Sequence, residues 1–138
     1  MAVDQRTRGT RARGERGQSL VELALTIPVL LLLLIGVVEI GNALNVYMTV
    51  VDAGRDGARL GSKGSVSDAE VRNVVVMDMD RLPNLATSEI TVDHNVMSGG
   101  RPSIRVTVCY KHSLVLSVPL VMPNPLRMCS STTMPTTG

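Results

Sequence analysis

An uncharged run from Leu23 to Val38 limits what this chain can become more than any other feature. Carried outward past Glu22 to Leu20 and past Glu39 to Ile40, the apolar stretch forms a helix about 30 Å long, enough for one crossing of a bilayer. Pro28 and Gly36 interrupt it. Pro28 lacks the N–H of its own turn and favours a local bend, which membrane helices tolerate. Ahead of the run stand Arg6, Arg8, Arg11, Arg13 and Arg16, opposed only by Asp4 and Glu15. Such a basic cluster alone reads as a solvated tail or a nucleic-acid arm. Directly before an apolar span it reads as the cytoplasmic anchor of the positive-inside rule, and no nucleic-acid partner is expected. The N-terminus then points inward and the C-terminal part outward. A secretory signal is the rival reading, but the apolar run is too long, no small-residue cleavage site follows it, and Glu22 is out of place there.

The helical pattern continues past the span. Ile40, Leu44, Tyr47, Val51, Gly54 and Ala58 recur at steps of three and four, while Asp52, Arg55, Asp56 and Arg59 keep to the other side. One helix from about Leu20 to Leu60 is predicted, ended by Gly61 and the Ser62–Ser65 stretch around Gly64. A span followed by a separate short amphipathic helix is the alternative. At 138 residues the chain has room beyond this helix for one small domain. It contains no Phe or Trp, and its only aromatic residues are Tyr47 and Tyr110. An aliphatic and methionine core without large aromatic rings is therefore expected, and a core this small gains from a staple. Cys109 and Cys129 have no metal-ligand spacing around them. A disulfide is expected if this part lies outside the cytoplasm; the alternative is two separate buried thiols.

In that domain Ser67 and Glu70 have the spacing of a capping box. They predict a helix running to about Arg81, before Pro83, although the β-branched Val74–Met77 stretch also fits a strand. Ile90–Asp93 and Ser103–Tyr110 alternate as half-buried strands, with Met97-Ser98-Gly99-Gly100 as the turn between them. Ser113 to Val121 suggests a third extended segment before Pro123 and Pro125. The Ser, Thr and Pro content from Ser130 to Gly138 predicts a loose tail. The fold class is α+β: a long N-terminal transmembrane and amphipathic helix, then a small outer domain with a helix and a short antiparallel sheet.

Glu22 is the unusual residue. A lone charge in hydrocarbon costs at least a few kcal/mol, so its presence calls for a partner. Cleavage after Gly17 would create a positive amine on Gln18, one helical turn from Glu22. In an assembly that amine can instead meet Glu22 of the next subunit, and a buried pair of this kind fixes register. Gly17, four residues, Glu22 and a long apolar helix resemble the processing and assembly motif of type IV pilins. The chain is more closely similar to the TadE-like pseudopilins of tight-adherence pilus systems. Gly17, Val21, Glu22, Ala24, Leu25, Pro28 and the Leu30–Leu34 run carry that likeness, together with the Ala53-Gly54-Arg55-Asp56-Gly57-Ala58-Arg59 patch. Leu23 stands where such chains often have an aromatic residue, and Gln18 where many type IV pilins have Phe.

The resemblance implies a structural or priming subunit that is not an enzyme. It implies a cleaved cytoplasmic leader at 1–17, a transmembrane and extended pilin-type helix at 18–61, an α+β extracytoplasmic domain at 62–129 and a flexible tail at 130–138. Gly17 and Gln18 are the implied processing residues, and Glu22 and Pro28 the assembly residues. The implied partners are other pilin subunits, a prepilin peptidase, the inner-membrane assembly platform and the lipid bilayer. A small major pilin usually lacks a domain of this size, so the minor role is favoured over the main fibre subunit. A plain single-pass protein whose outer domain binds something is the reading from another class.

Catalysis finds little support. His94, beside Asp93, and His112 read as surface histidines. No G-x-S-x-G, H-E-x-x-H or phosphate-cradling motif occurs, and the glycines from Gly57 to Gly64 lack a Walker lysine pattern. Asp78 and Asp80 lack the glycine and closing glutamate of a calcium loop. No cofactor or metal is implied.

Overall fold

The computed structural model describes residues 8–114 and 124–137, with side chains for 17–86, 88–114 and 124–137. The chain divides into two units, Met1–Val38 and Glu39–Gly138. Helix α1 spans Arg8–Gly61 and includes Pro28 in its interior. It begins well before the expected Leu20, inside the segment read as a leader. Arg, Ala, Glu and Gln are good helix formers, and no proline breaks the chain between Arg8 and the apolar run. At the other end Gly61 closes the helix as expected. Ser62 N–H donates to the Ala58 carbonyl at 2.9 Å, and Gly64 takes a φ of 71°, a conformation open to glycine at little cost.

Within the second unit, α1 and α2 (Asp68–Asp78) cover one face of an antiparallel sheet ordered β1-β2-β3, with β1 at Glu89–Ser98, β2 at Arg101–His112 and β3 at Leu126–Pro135. Ser67 and Glu70 form the predicted capping box: the Ser67 N–H donates to Glu70 Oε2 at 3.0 Å, and Glu70 N–H donates to Ser67 Oγ at 3.4 Å. The helix alternative holds over Val74–Met77, because Val71 and Val75, four apart, are both fully buried. After Asp78 the chain turns before Pro83, whose carbonyl accepts the Tyr110 hydroxyl.

The small-residue patch late in α1 is a packing surface. A Cβ on Gly61 would overlap Ile104 Cδ1, and one on Gly57 would come within 2.5 Å of Val75 Cγ2. Gly54 is less constrained, its nearest neighbours lying at 3.7 Å on Thr132 and Val108. The contacts of Gly54, Gly57 and Gly61 fall in turn on Val108, Val106 and Ile104, so α1 runs antiparallel to β2 along the sheet. The buried stripe of this helix is Val46, Val50, Ala53, Gly54, Gly57, Ala58 and Gly61. The expected stripe was right at Gly54 and Ala58 but differs over residues 40–47. Ile40, Leu44 and Tyr47 are exposed by 56%, 57% and 45%. Their size suggested burial, whereas the close approach to the sheet selects small and β-branched residues. Asp52, Arg55, Asp56 and Arg59 do keep to the outer side, and Asp52 pairs with Arg55 at 3.3 Å.

Three further expectations are corrected. The core includes a large aromatic ring, since Tyr110 is the largest fully buried side chain. Strand β1 runs on past Asp93 to Ser98 through an irregularity between Asp93 and Val96, which breaks the alternation visible in the sequence. The tail expected to be loose from Ser130 is the larger part of β3, paired with β2 out to Pro135. Its Ser and Thr content suits a pleated edge strand. Thr107 and Ser131 hydroxyls meet at 3.1 Å, and Arg105 Nε donates to Thr133 Oγ1 at 3.3 Å. Beyond the strand, Thr137 N–H donates to the Ser62 carbonyl at 2.9 Å. The third extended segment, read as Ser113 to Val121, falls mostly outside the described residues. The turn expected around Gly99 and Gly100 is present, and both glycines have positive φ, 59° and 77°, as a tight hairpin with this twist requires.

Cys109 and Cys129 are register partners on β2 and β3 and are joined by a disulfide. Buried Val108 and Tyr110 flank Cys109, so the alternation of the strand places the disulfide on the face away from the helices. It closes a loop with a sequence separation of 20, for which chain entropy provides about 3 kcal/mol. We expect reduction of the detergent-solubilised chain to lower its unfolding free energy by about that amount, read from denaturant titration with and without reductant. Gly61→Leu is expected to cost about 1–3 kcal/mol in the same titration, through forced displacement of Ile104. Gly54→Ala, by contrast, should stay close to the parent.

Candidate functional site

Gly17, Gln18, Glu22 and Pro28 all lie on α1, within the unit Met1–Val38. Every side chain from Gln18 to Ile35 is exposed. A helix that presents apolar side chains all round needs an apolar environment outside itself. The stretch is long and apolar enough to cross a membrane and is consistent with membrane anchoring. Outside its own stretch of helix backbone, no described atom lies within 4 Å of the place a Gly17 Cβ would occupy. The Glu22 carboxylate is exposed, with no side-chain partner among the described residues, while its backbone carbonyl accepts the Thr26 hydroxyl at 2.7 Å. Glu22 is the one charged residue between Gly17 and Val38. The helix continues through Pro28.

In the second unit the two histidines occupy different settings. His94 pairs with Asp68 at the start of α2, at 2.6 Å, and not with Asp93, because it lies in the β1 irregularity. His112 is 5% exposed and therefore not a surface residue. It continues the inward series Ile104, Val106, Val108 and Tyr110, a period of two that the sequence shows once β2 is extended by two residues. Its Nε2 has no hydrogen-bond partner among the described residues. Among those residues no three His, Cys, Asp or Glu side chains converge as metal ligands. Burial raises the Tyr110 hydroxyl pKa, and hydrogen bonds from the Ser67 backbone and hydroxyl lower that of Glu70.

Asp52, Asp56, Asp78 and Asp80 line a shallow recess beside Arg81. The Asp78 carboxyl is raised above its ordinary value, chiefly by loss of water and then by the charge of Asp56. It is also the last residue of α2, where the helix dipole disfavours a negative charge.

These observations define a class: a chain with one exposed apolar helix bearing a single early carboxylate, followed by a small disulfide-stapled α+β unit. Residues 17–59 match the model of the family described as TadE-like protein. Over this stretch the chain is similar to TadE-like proteins, and the match takes in less than half of its length. No match was found among curated proteins or among solved structures. The matched stretch holds Gly17, Glu22, Pro28 and the Ala53–Arg59 patch, but none of the sheet. The sequence named the patch as a family mark and set Gly54 and Ala58 on the packing face, but not Gly57 or Gly61. The glycine spacing Gly54, Gly57, Gly61 was the available signal, since glycines repeated on one helix face mark close approach.

A carboxyl whose pKa is raised on folding binds its proton more readily in the folded chain. Its charge therefore opposes folding at neutral pH, and the penalty fades as pH falls through the raised pKa. Asp78→Asn is accordingly expected to stabilise the chain at neutral pH by about 0.3–1 kcal/mol, the range for a charge at a helix end. Thermal unfolding at several pH values should show that gain shrinking towards acid pH.

Proposed function

We propose that this chain is a minor pilin-like subunit of a tight-adherence pilus, held in the cytoplasmic membrane with its N-terminus inside and its second unit outside. A prepilin peptidase removes residues 1–17. The apolar helix then joins a bundle of other pilin subunits at the assembly platform, where Glu22 pairs with the Gln18 amine of a neighbour. The observation that carries this reading is Glu22 itself: one exposed carboxylate on an otherwise uncharged helix, five residues beyond a glycine, inside the family match. Nothing in the described chain requires Gly17 to lack a side chain. A peptidase site built for close backbone approach does require it. The extent of the unit Glu39–Gly138 favours the minor role over the main fibre subunit.

In this scheme Glu22 stays hydrated at the headgroup level in the lone subunit and loses that water on entering the bundle. An unpaired carboxylate there is costly, so the pair rejects a slipped register. Expressed with the peptidase, the parent chain is expected to show an intact mass lacking residues 1–17, with Gln18 first. A mass that retains the leader contradicts the scheme. Glu22→Ala and Glu22→Gln should insert and be processed normally, while their recovery in sheared pili or in crosslinks to partner pilins falls about tenfold or more. Parent-like recovery of both removes Glu22 from the register contact.

A further inference from the structure

The two edges of the sheet differ in how they receive a further strand. On β1 the ladder is broken between Asp93 and Val96, and the Asn95 N–H is taken by Asp93 Oδ1 at 3.0 Å. Irregularities and charges of this kind protect an edge. Strand β3 has neither from Met128 to Met134, where it is uncharged and in unbroken register with β2. The Thr136 N–H donates to the Pro102 carbonyl at 3.0 Å, continuing that register by one residue. Even-numbered residues of β3 therefore turn their N–H and C=O towards β2, and Cys129, Ser131 and Thr133 turn theirs outwards. The Cα–Cα distance of 4.1 Å between Cys109 and Cys129 agrees, since facing residues that exchange no backbone bonds lie this close. Residues 115–123 start and end at Leu114 and Asn124, which hydrogen-bond each other at 3.2 and 3.3 Å. A nine-residue segment that leaves and returns to one place extends about 15 Å at most. Counted from Leu126, Ser131 lies about 17 Å and Thr133 about 24 Å along the strand, beyond that reach.

We propose that the Ser131–Thr133 end of β3 takes up an antiparallel strand from a different pilin-type subunit, one that carries an acidic side chain near its C-terminal end. The inference rests on the reading of the chain as a minor pilin-like subunit. Charge selects the partner. On the outer face Lys111 and Arg127 are register partners; Arg127 pairs with Glu89 at 2.9 Å, and Lys111 has no carboxylate partner among the described residues. A carboxylate on the incoming strand, at the end nearest Arg127, balances that excess. Thr91, Thr107 and Ser131 form one row across the sheet, which a hydroxyl or β-branched side chain opposite Ser131 extends. The broken β1 edge is a poor mate for the regular β3 edge, so copies of this chain do not continue one another's sheet. A sheet open on one side admits one partner, which suits a subunit placed once and not one repeated along a fibre.

The probe is a seven-residue peptide of alternating Thr and Val that ends in Glu, added to the full-length chain in detergent, with amide hydrogen exchange read residue by residue. At about ten times its Kd, exchange should slow about tenfold at Ser131 and Thr133 and stay unchanged at Ser130 and Thr132, which already bond to β2. N-methylation of the peptide amides that face β3 should abolish the effect, and N-methylation of the others should not. Slowing without this alternation, or none, overturns the strand addition. In cells that assemble the pili, a photoreactive benzoylphenylalanine at Thr133 should form an adduct with a different subunit, identified by its sequence as a processed pilin, and one at Asn95 should not. Ser131→Pro removes an outward N–H, at a site type where an edge strand tolerates proline and where Pro135 already stands. It should cut the Thr133 adduct about fivefold or more, with processing after Gly17 unchanged. An adduct with a second copy overturns the proposal in favour of self-pairing. Normal recovery in pili without a Thr133 adduct overturns it and leaves the pilin reading standing. A chain neither processed nor recovered in pili, yet showing the alternating slowing, removes the pilin partner while leaving the open edge. Should Ser131→Pro fail to fold, the N-methylated peptides decide on the parent chain.

Discussion

The absence of side chains at Gly57 and Gly61 is the condition on which the second unit depends. With Cβ atoms there, α1 would collide with Val75 and Ile104 and be held off both α2 and the central strand. Interiors are packed closely enough that a shift of even one carbon is felt throughout. The seat formed by these glycines lets Val46, Val50 and Ala58 reach the sheet, and it sets the antiparallel register of helix and strand. A core with a single aromatic ring has few large side chains with which to fill a gap, so close approach replaces bulk.

The same helix meets two solvents with two kinds of surface. Between Gly17 and Val38 it is apolar all round, with Glu22 as its one charge, and suits lipid or other apolar helices. From Asp52 onward it is two-sided, with small residues towards the sheet and Asp52, Arg55, Asp56 and Arg59 towards water. The family match spans both stretches and stops two residues before the helix does. The matched stretch therefore covers the apolar helix and most of the glycine seat, and none of the sheet.

The elements legible in the sequence were those whose signal is local. The capping box at Ser67 and Glu70, the glycine turn and the apolar run each depend on a few neighbouring residues and stand where expected. Others depended on distant partners. Strand β3 reads as a loop until its hydroxyls are set against Thr107 and Arg105, and β1 loses its alternation where an extra residue enters. The face of α1 was misjudged because large apolar residues such as Leu44 and Tyr47 were taken as core, when the contact with the sheet admits only small ones. The candidate residues Gly17, Glu22 and Pro28 rest on spacing and family likeness, and the fold of the described residues does not itself single them out.

The alignment of α1 along β2 has a mechanical consequence. A pull applied at Glu39, where the second unit begins, along this unit's own stretch of α1 runs parallel to the strand beneath it. Such a load acts in shear. The contacts of Gly54, Gly57 and Gly61 with the sheet must then slip together, whereas a helix crossing the strands would peel from one end. On the opposite face the Cys109–Cys129 bond ties the edge strand covalently to the central one, so the sheet under that load cannot unzip along this pair. Loaded from that end, the second unit would resist as one block.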